Sequence, residues 1–143
     1  MAANQPDKIN LIYDADSFVP VINNDFIEAK KEILIVSPFL RRKRIDIVFE
    51  WLKEPLQKGI SITIITRPPE SYKEQDRIKE CIEYLKSVVT VVQKSNIHQK
   101  YIIIDNCLVW YGSINLLNSG NSEEGIMRLE SRELAAELEA MMK

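Results

Sequence analysis

Between Glu32 and Thr66 the chain reads as strand, helix, glycine, strand, an order that few folds accommodate. Glu32-Ile33-Leu34-Ile35-Val36-Ser37-Pro38 is a nearly continuous apolar run, the pattern of a central strand covered on both faces, and Pro38 ends it. Ile45, Val48, Phe49, Leu52 and Leu56 then recur at helical spacing, with Trp51 on the flank and Gly59 as the stop. Residues 60–66 form the next apolar run. Two strands joined through a helix predict a right-handed parallel crossover, and hence a sheet with helices packed against it.

The flanking segments extend this pattern. Residues 9–13 predict a short edge strand. Asp14 or Asp16 with Ser17 would cap a helix whose apolar positions are Phe18, Val21, Ile22, Phe26 and Ala29, with Pro20 in its first turn. Residues 67–72 predict a stiff loop and residues 75–86 a helix with Ile78, Ile82 and Leu85 inward. Residues 88–92 are a β-branched strand. Residues 125–129 predict another strand, after which Ser131 caps a last helix facing the core with Leu134, Leu138 and Met141 or Met142. The chain has 143 residues and neither repeat, low-complexity tract nor linker, so one domain spanning 1–143 is expected. By the usual size scaling it would bury about two-thirds of its unfolded surface.

Polar residues punctuate the next apolar stretch at regular places. In Ile97-His98-Gln99-Lys100-Tyr101-Ile102-Ile103-Ile104-Asp105, strand alternation puts His98 and Lys100 on one face and Asp105 on the other. A short turn at Asn106-Cys107 leads into Leu108-Val109-Trp110-Tyr111 and then Gly112-Ser113-Ile114-Asn115. So tight a connection predicts an antiparallel hairpin, which returns Ser113 and Asn115 to the neighbourhood of His98 and Lys100. One imidazole, one fixed cation and two neutral hydrogen-bonding side chains suit the gripping and attack of a phosphate. Neutral imidazole is nucleophilic and plentiful near neutral pH, and an ammonium stabilises charge that accumulates on phosphate oxygens.

The spacing H-x-K-x4-D-x6-G-S-x-N resembles the HKD motif of the phospholipase D superfamily with its trailing G-S-x-N. The resemblance extends over nearly the whole chain and is to the single-motif nucleases of that superfamily. It implies an α/β fold with a mixed, mostly parallel central sheet and helices on both faces. It also implies that His98 attacks phosphorus to form a covalent phosphohistidine, while Lys100 and Asn115 hold the non-bridging oxygens and Ser113 is an auxiliary donor. A second histidine protonates the leaving oxygen and then activates water. An acidic residue after G-S-x-N orients the imidazole, matched best by Glu123, with adjacent Glu124 open. Asp105, of opposite parity to His98, is expected to be structural, as is Gly112. Neither metal nor other cofactor is implied. His98 is the only histidine in the chain, so the two-histidine mechanism requires a homodimer with two copies of His98 facing one phosphate.

The net charge of −2 means that any grip on nucleic acid must come from a local patch. The most basic stretch is Arg41-Arg42-Lys43-Arg44, just past the first central strand, and Arg67 follows the next strand. Strand ends are where α/β sheets place ligands, so Arg41, Arg42 and Arg67 are the expected phosphate-tracking residues. No apolar run approaches the roughly 20 residues that span a bilayer, and no membrane partner is expected. The polar start, Met1 to Lys8, lacks the apolar stretch of a secretory signal. Cys81 and Cys107 show no metal or disulfide spacing, which makes the cytoplasm the expected location. The reading that follows is a metal-independent phosphodiesterase cleaving DNA or RNA. Two alternatives are a non-catalytic nucleic-acid-binding module of a larger DNA-processing system and a phospholipase.

Overall fold

A computed structural model describes residues 11–118 and 124–142. The elements are β1 (Leu11–Asp14), α1 (Phe18–Ile27), β2 (Glu32–Val36), α2 (Arg42–Gln57), β3 (Ser61–Thr66), a short 3-10 turn (Pro69–Ser71) and α3 (Gln75–Lys86). They continue with β4 (Thr90–Gln93), β5 (Tyr101–Ile104), β6 (Leu108–Gly112), β7 (Gly125–Glu130) and α4 (Arg132–Met141). Gly59, between α2 and β3, has φ +79°, a backbone region that glycine enters without strain. Ser131 caps α4 by accepting the backbone N–H of Leu134 at 3.0 Å.

All seven strands form one sheet in the order β1-β7-β6-β5-β2-β3-β4. The expected crossover is present, with β2 parallel to β3 and Ile33 opposite Ile62. Helices cover both faces. Ile33, Ile35, Ile62, Ile64, Ile102 and Trp110 pack under α1, α2 and α3. Val36, Ile65, Ile103 and Val109 point the other way and meet Ala135 and Leu138 of α4. The mixed α/β class is therefore as expected, but the balance within the sheet differs from the mostly parallel expectation. Five strands share a direction, yet of the six neighbouring pairs only β2·β3 and β3·β4 are parallel. The second half of the chain builds by hairpin, and a short turn can join only antiparallel neighbours.

That hairpin is the junction of the two halves. Tyr101 pairs with Tyr111 and Ile104 with Leu108, while β5 also lies antiparallel on β2 with Ile33 opposite Ile104. Its turn is centred one residue earlier than expected. Asp105 and Asn106 both have positive φ (56° and 57°), and the Cys107 N–H donates to the Ile104 carbonyl at 3.1 Å, a type I′ turn whose twist matches the strands. Asp105 then reaches across to the start of β2. Its Oδ1 accepts the N–H groups of Lys31 (2.7 Å), Glu32 (3.1 Å) and Lys30 (3.2 Å), and its Oδ2 accepts Lys30 again (3.0 Å).

Partial burial alone would raise the Asp105 pKa, but the N–H groups of Lys31, Lys30 and Glu32 outweigh it and hold the carboxyl below the ordinary range. A carboxyl with a depressed folded pKa contributes stability that is present above the ordinary value of about 3.9 and is lost as pH falls through the depressed one. Asp105→Ala is therefore expected to lose on the order of 2 kcal/mol at neutral pH. The deficit relative to the native chain should shrink below about pH 4 in urea titrations. A deficit that stays constant into acid would place the effect somewhere other than this carboxylate.

Candidate active site

Chain direction brings to one end of the sheet, opposite the Asp105 turn, the C-terminal ends of β1, β2, β3, β4 and β6 and the N-terminal ends of β5 and β7. His98, Lys100, Ser113, Asn115, Arg67 and the loop from Ser37 to Arg41 all lie at or beside these termini.

His98 and Lys100 are not in the strand itself, as alternation had predicted. β5 begins at Tyr101, and residues 97–100 lead into it, with Ile97 buried beneath and His98 exposed. The strand stops short because only the Gly112 N–H, 3.4 Å from the Lys100 carbonyl, continues the ladder beyond Tyr101. The departure leaves the imidazole free of the sheet surface. His98 opens onto a cleft of about 660 Å³ that Lys94, Asn96, Met141 and Met142 also line. The Lys100 ammonium turns back to the His98 carbonyl at 3.3 Å, so a cation stands beside the histidine's own backbone.

Arg67 occupies a position that strand-end reasoning did not foresee. One of its terminal nitrogens lies 2.6 Å from His98 Nδ1, and its Nε donates to the Ile97 carbonyl at 2.9 Å. A guanidinium has only donors, so Nδ1 accepts and the proton of the neutral ring resides on Nε2. Arg67 is thus seated on the histidine rather than on an open groove wall. Its guanidinium also lies 5.2 Å from the centre of the Phe39 ring.

The G-S-x-N segment is built into the same end. An ideal Cβ on Gly112 would meet the Gly125 carbonyl oxygen at 2.3 Å, so only glycine lets β6 and β7 approach here. Ser113 commits its hydroxyl to the Gly125 peptide, donating to the carbonyl (3.2 Å) and accepting from the N–H (3.0 Å). That engagement takes the hydrogen an auxiliary phosphate donor would use. Asn115 is 7% exposed, and its Oδ1 is buried with no hydrogen-bond partner. An acceptor left unsatisfied in this way costs roughly 1–3 kcal/mol. Beyond it, Leu117 is tied in twice: its N–H donates to Ser37 Oγ (3.1 Å) and its carbonyl accepts the Arg41 N–H (2.8 Å).

The basic run divides. Arg44 is half-buried, donates to the Leu116 carbonyl at 3.0 Å and stacks 5.2 Å from Trp51, so it buttresses the loop that carries Asn115. Arg42 donates to Asp46 at 3.2 Å and lies 3.4 Å over the Tyr84 ring, which holds it toward α3. Arg41 is exposed at the N-terminus of α2. Glu123 lies outside the described residues, whereas Glu124 directly precedes Gly125 and so sits beside Ser113. Asp105 lies at the far end of the sheet and belongs to the anchor already described. No helix among the described residues is long and apolar enough to cross a membrane.

With this geometry in view, the likenesses to known proteins are informative. Residues 22–143 match the family model described as "Cardiolipin synthase, PLD-like domain". No curated protein matches significantly. Among solved structures, NucT from Helicobacter pylori is 19% identical with a TM-score of 0.67, covering 92% of this chain and 91% of that one. Nuc from Salmonella typhimurium, a phospholipase D family member, is 18% identical with a TM-score of 0.68, covering 92% and 90%. TrmBL2, an archaeal chromatin protein with a novel mode of DNA binding, is 12% identical with a TM-score of 0.60, covering 93% of this chain and 50% of that one. At these identities the structures speak for the fold alone, but the family model covers most of the chain, and the protein belongs to the phospholipase D-like domain family.

Proposed function

We propose that this protein is a metal-independent phosphodiesterase that cleaves nucleic acid through a phosphohistidine on His98, in a site completed by a second copy of the chain. The observation that carries the reading is the register of the β5–β6 hairpin, which gathers the H-x-K and G-S-x-N segments at one end of the sheet. Asn115 lies three residues past the end of β6 at that same end, and its side-chain NH2 is the kind of donor that a non-bridging phosphate oxygen requires. The fold shared with NucT and Nuc over nine-tenths of their length supports a site of the same kind. The named likenesses divide between DNA, for TrmBL2, and phospholipid, for the cardiolipin synthase model, and exposed Arg41 at the N-terminus of α2 supports nucleic acid.

In this reading His98 attacks phosphorus, and a new N–P bond forms as the P–O bond to the leaving group breaks. The second copy's His98 supplies the proton to the departing oxygen. It then takes a proton from water, whose oxygen displaces His98 from phosphorus. Lys100 and the Asn115 amide hold the non-bridging oxygens, where negative charge accumulates. Glu123 or Glu124 would hold the proton-bearing ring nitrogen of His98.

Arg67 defines a resting arrangement that must change during this cycle. While its guanidinium donates to Nδ1, the ring proton is on Nε2, and neither nitrogen presents a free lone pair to phosphorus. A bound phosphate offers the guanidinium two charged oxygens in place of one imidazole nitrogen. Arg67 then moves from ring to phosphate, and Nδ1 becomes available to a carboxylate.

Because the chain has a single histidine, its imidazole nitrogens can be observed alone. In a ¹⁵N spectrum taken where the ring is neutral, Nδ1 is expected to be unprotonated and Nε2 protonated. A dominant Nδ1–H form in the free protein would remove the Arg67 contact from the resting state. His98→Ala is expected to lower turnover of a DNA or RNA phosphodiester by at least about 10³-fold while oligonucleotide binding persists. Turnover by the native chain should also persist in excess EDTA. Residual activity near the native level in His98→Ala excludes it as the nucleophile, and a strict divalent-metal requirement excludes the metal-independent route. Light scattering across the concentrations of the assay should give twice the chain mass. A strict monomer that retains full activity would dispose of the two-copy site.

A further inference from the structure

Phe39 is one of the large apolar side chains that the fold leaves exposed, and Arg67 connects it to the histidine, whose cleft Met141 also lines. Phe39 itself is 38% exposed, in the loop that follows β2, where burial of a phenyl ring would ordinarily stabilise the chain. The ring is nevertheless held in place. Ser37 Oγ donates to the Phe39 carbonyl at 3.1 Å. Tyr72 packs against the ring edge-to-face, with centroids 5.9 Å apart and planes at 72°, and its own hydroxyl donates to the Pro38 carbonyl. Arg67 completes the group, its guanidinium 5.2 Å from the ring centre and 2.6 Å from His98 Nδ1. One planar cation thus bridges an exposed aromatic ring and the proposed nucleophile.

We infer that Phe39 is a stacking platform for an unpaired nucleobase next to the scissile phosphate, which makes single-stranded nucleic acid the preferred substrate. The inference rests on the phosphodiesterase reading and deepens it. A nucleotide whose phosphate meets His98 carries its base one sugar away, comparable to the span that the guanidinium bridges between His98 and Phe39. Every base has a π-face, so a fixed phenyl ring binds without sequence preference. A duplex keeps its bases stacked inward, so a rim residue of this kind engages only a base that is splayed out. The exchange at Arg67 serves the same end. When the guanidinium leaves for the phosphate it also leaves Phe39, and the base takes its place over the ring. Tyr72 and the Ser37 bond keep the ring oriented meanwhile, so little order is lost on binding.

The test compares two single strands of one length and sequence, one of which is abasic on both sides of the cleaved phosphate. The full chain is assayed natively and as Phe39→Ala, Phe39→Leu and Phe39→Trp. For the native protein the KM for the abasic strand is expected to exceed that for the base-bearing strand by about tenfold or more. The ratio should fall to near one in Phe39→Ala and survive in Phe39→Trp. Phe39→Leu keeps apolar bulk without a ring, so it carries the test if the alanine variant folds poorly, and it too should lose the ratio. A native ratio near one, or a ratio unchanged in both Phe39→Ala and Phe39→Leu, overturns the platform while leaving the phosphodiesterase reading intact. Absence of cleavage of either strand by the native protein overturns that reading and the platform with it.

Discussion

The carboxylate of Asp105 joins the two halves of this sheet. β2, β3 and β4 form a parallel half built through helices, and β5, β6, β7 and β1 form an antiparallel half. The halves meet at β2 and β5, where Asp105 accepts three consecutive backbone N–H groups at the entry to β2. That side chain supports the register held by the β2–β5 ladder, from Ile33 opposite Ile104 to Val36 opposite Tyr101. Since β2 ends at the opposite edge from its entry, the same register determines what stands beside Ser37, Arg67 and His98 at the far end. A second buried link supports the arrangement from α1. Asp25 is 5% exposed at its side chain, pairs with Arg128 through two 2.8 Å contacts, and accepts the indole N–H of Trp110 at 2.8 Å. Helix α1 is thereby tied to β6 and β7 by bonds that are costly to break, because either partner would be left as an unpaired buried group.

At the chemical end, tight packing and open valence are divided among neighbours. Gly112 and Ser113 belong to the packing: the one has no space for a Cβ, and the other closes both of its hydroxyl's bonds on the Gly125 peptide. Arg44 likewise joins the frame through the Leu116 carbonyl. Asn115 is the exception, buried with an acceptor unsatisfied, and His98 is exposed with one nitrogen held by a cation. Among the described residues the buried side-chain atom without a partner is Asn115 Oδ1, within the G-S-x-N segment. Residues that look equivalent in the motif pattern thus differ in physical state.

Much of the architecture was legible from pattern. Apolar runs at 32–36 and 61–66, an amphipathic stretch between them and a glycine at position 59 require a strand–helix–strand unit, and the structure forms it in parallel register. The hairpin was equally legible, because two apolar runs separated by two or three turn-forming residues have only one way to pair. The proportion of parallel pairing was harder to read, since it depends on which hydrophobic edges meet after each unit has formed. The start of β5 was misjudged for a local reason: alternation continues through His98 and Lys100, but a strand requires a neighbour, and only the Gly112 N–H supplies one there.

By itself the sequence determined the set of elements, the single hairpin that carries H-x-K toward G-S-x-N, and the presence of just one imidazole. These are local properties, expressed in spacings of a few residues. Tertiary structure alone decided that Arg67 would sit on His98, 31 positions away, that Phe39 and Tyr72 would share its surroundings, and that Arg42 and Arg44 would face Tyr84 and Trp51. Such contacts depend on the lateral order of strands and on which strand ends share an edge. Neither is encoded in periodicity; both follow from packing apolar faces and from pairing buried polar groups across the whole sheet.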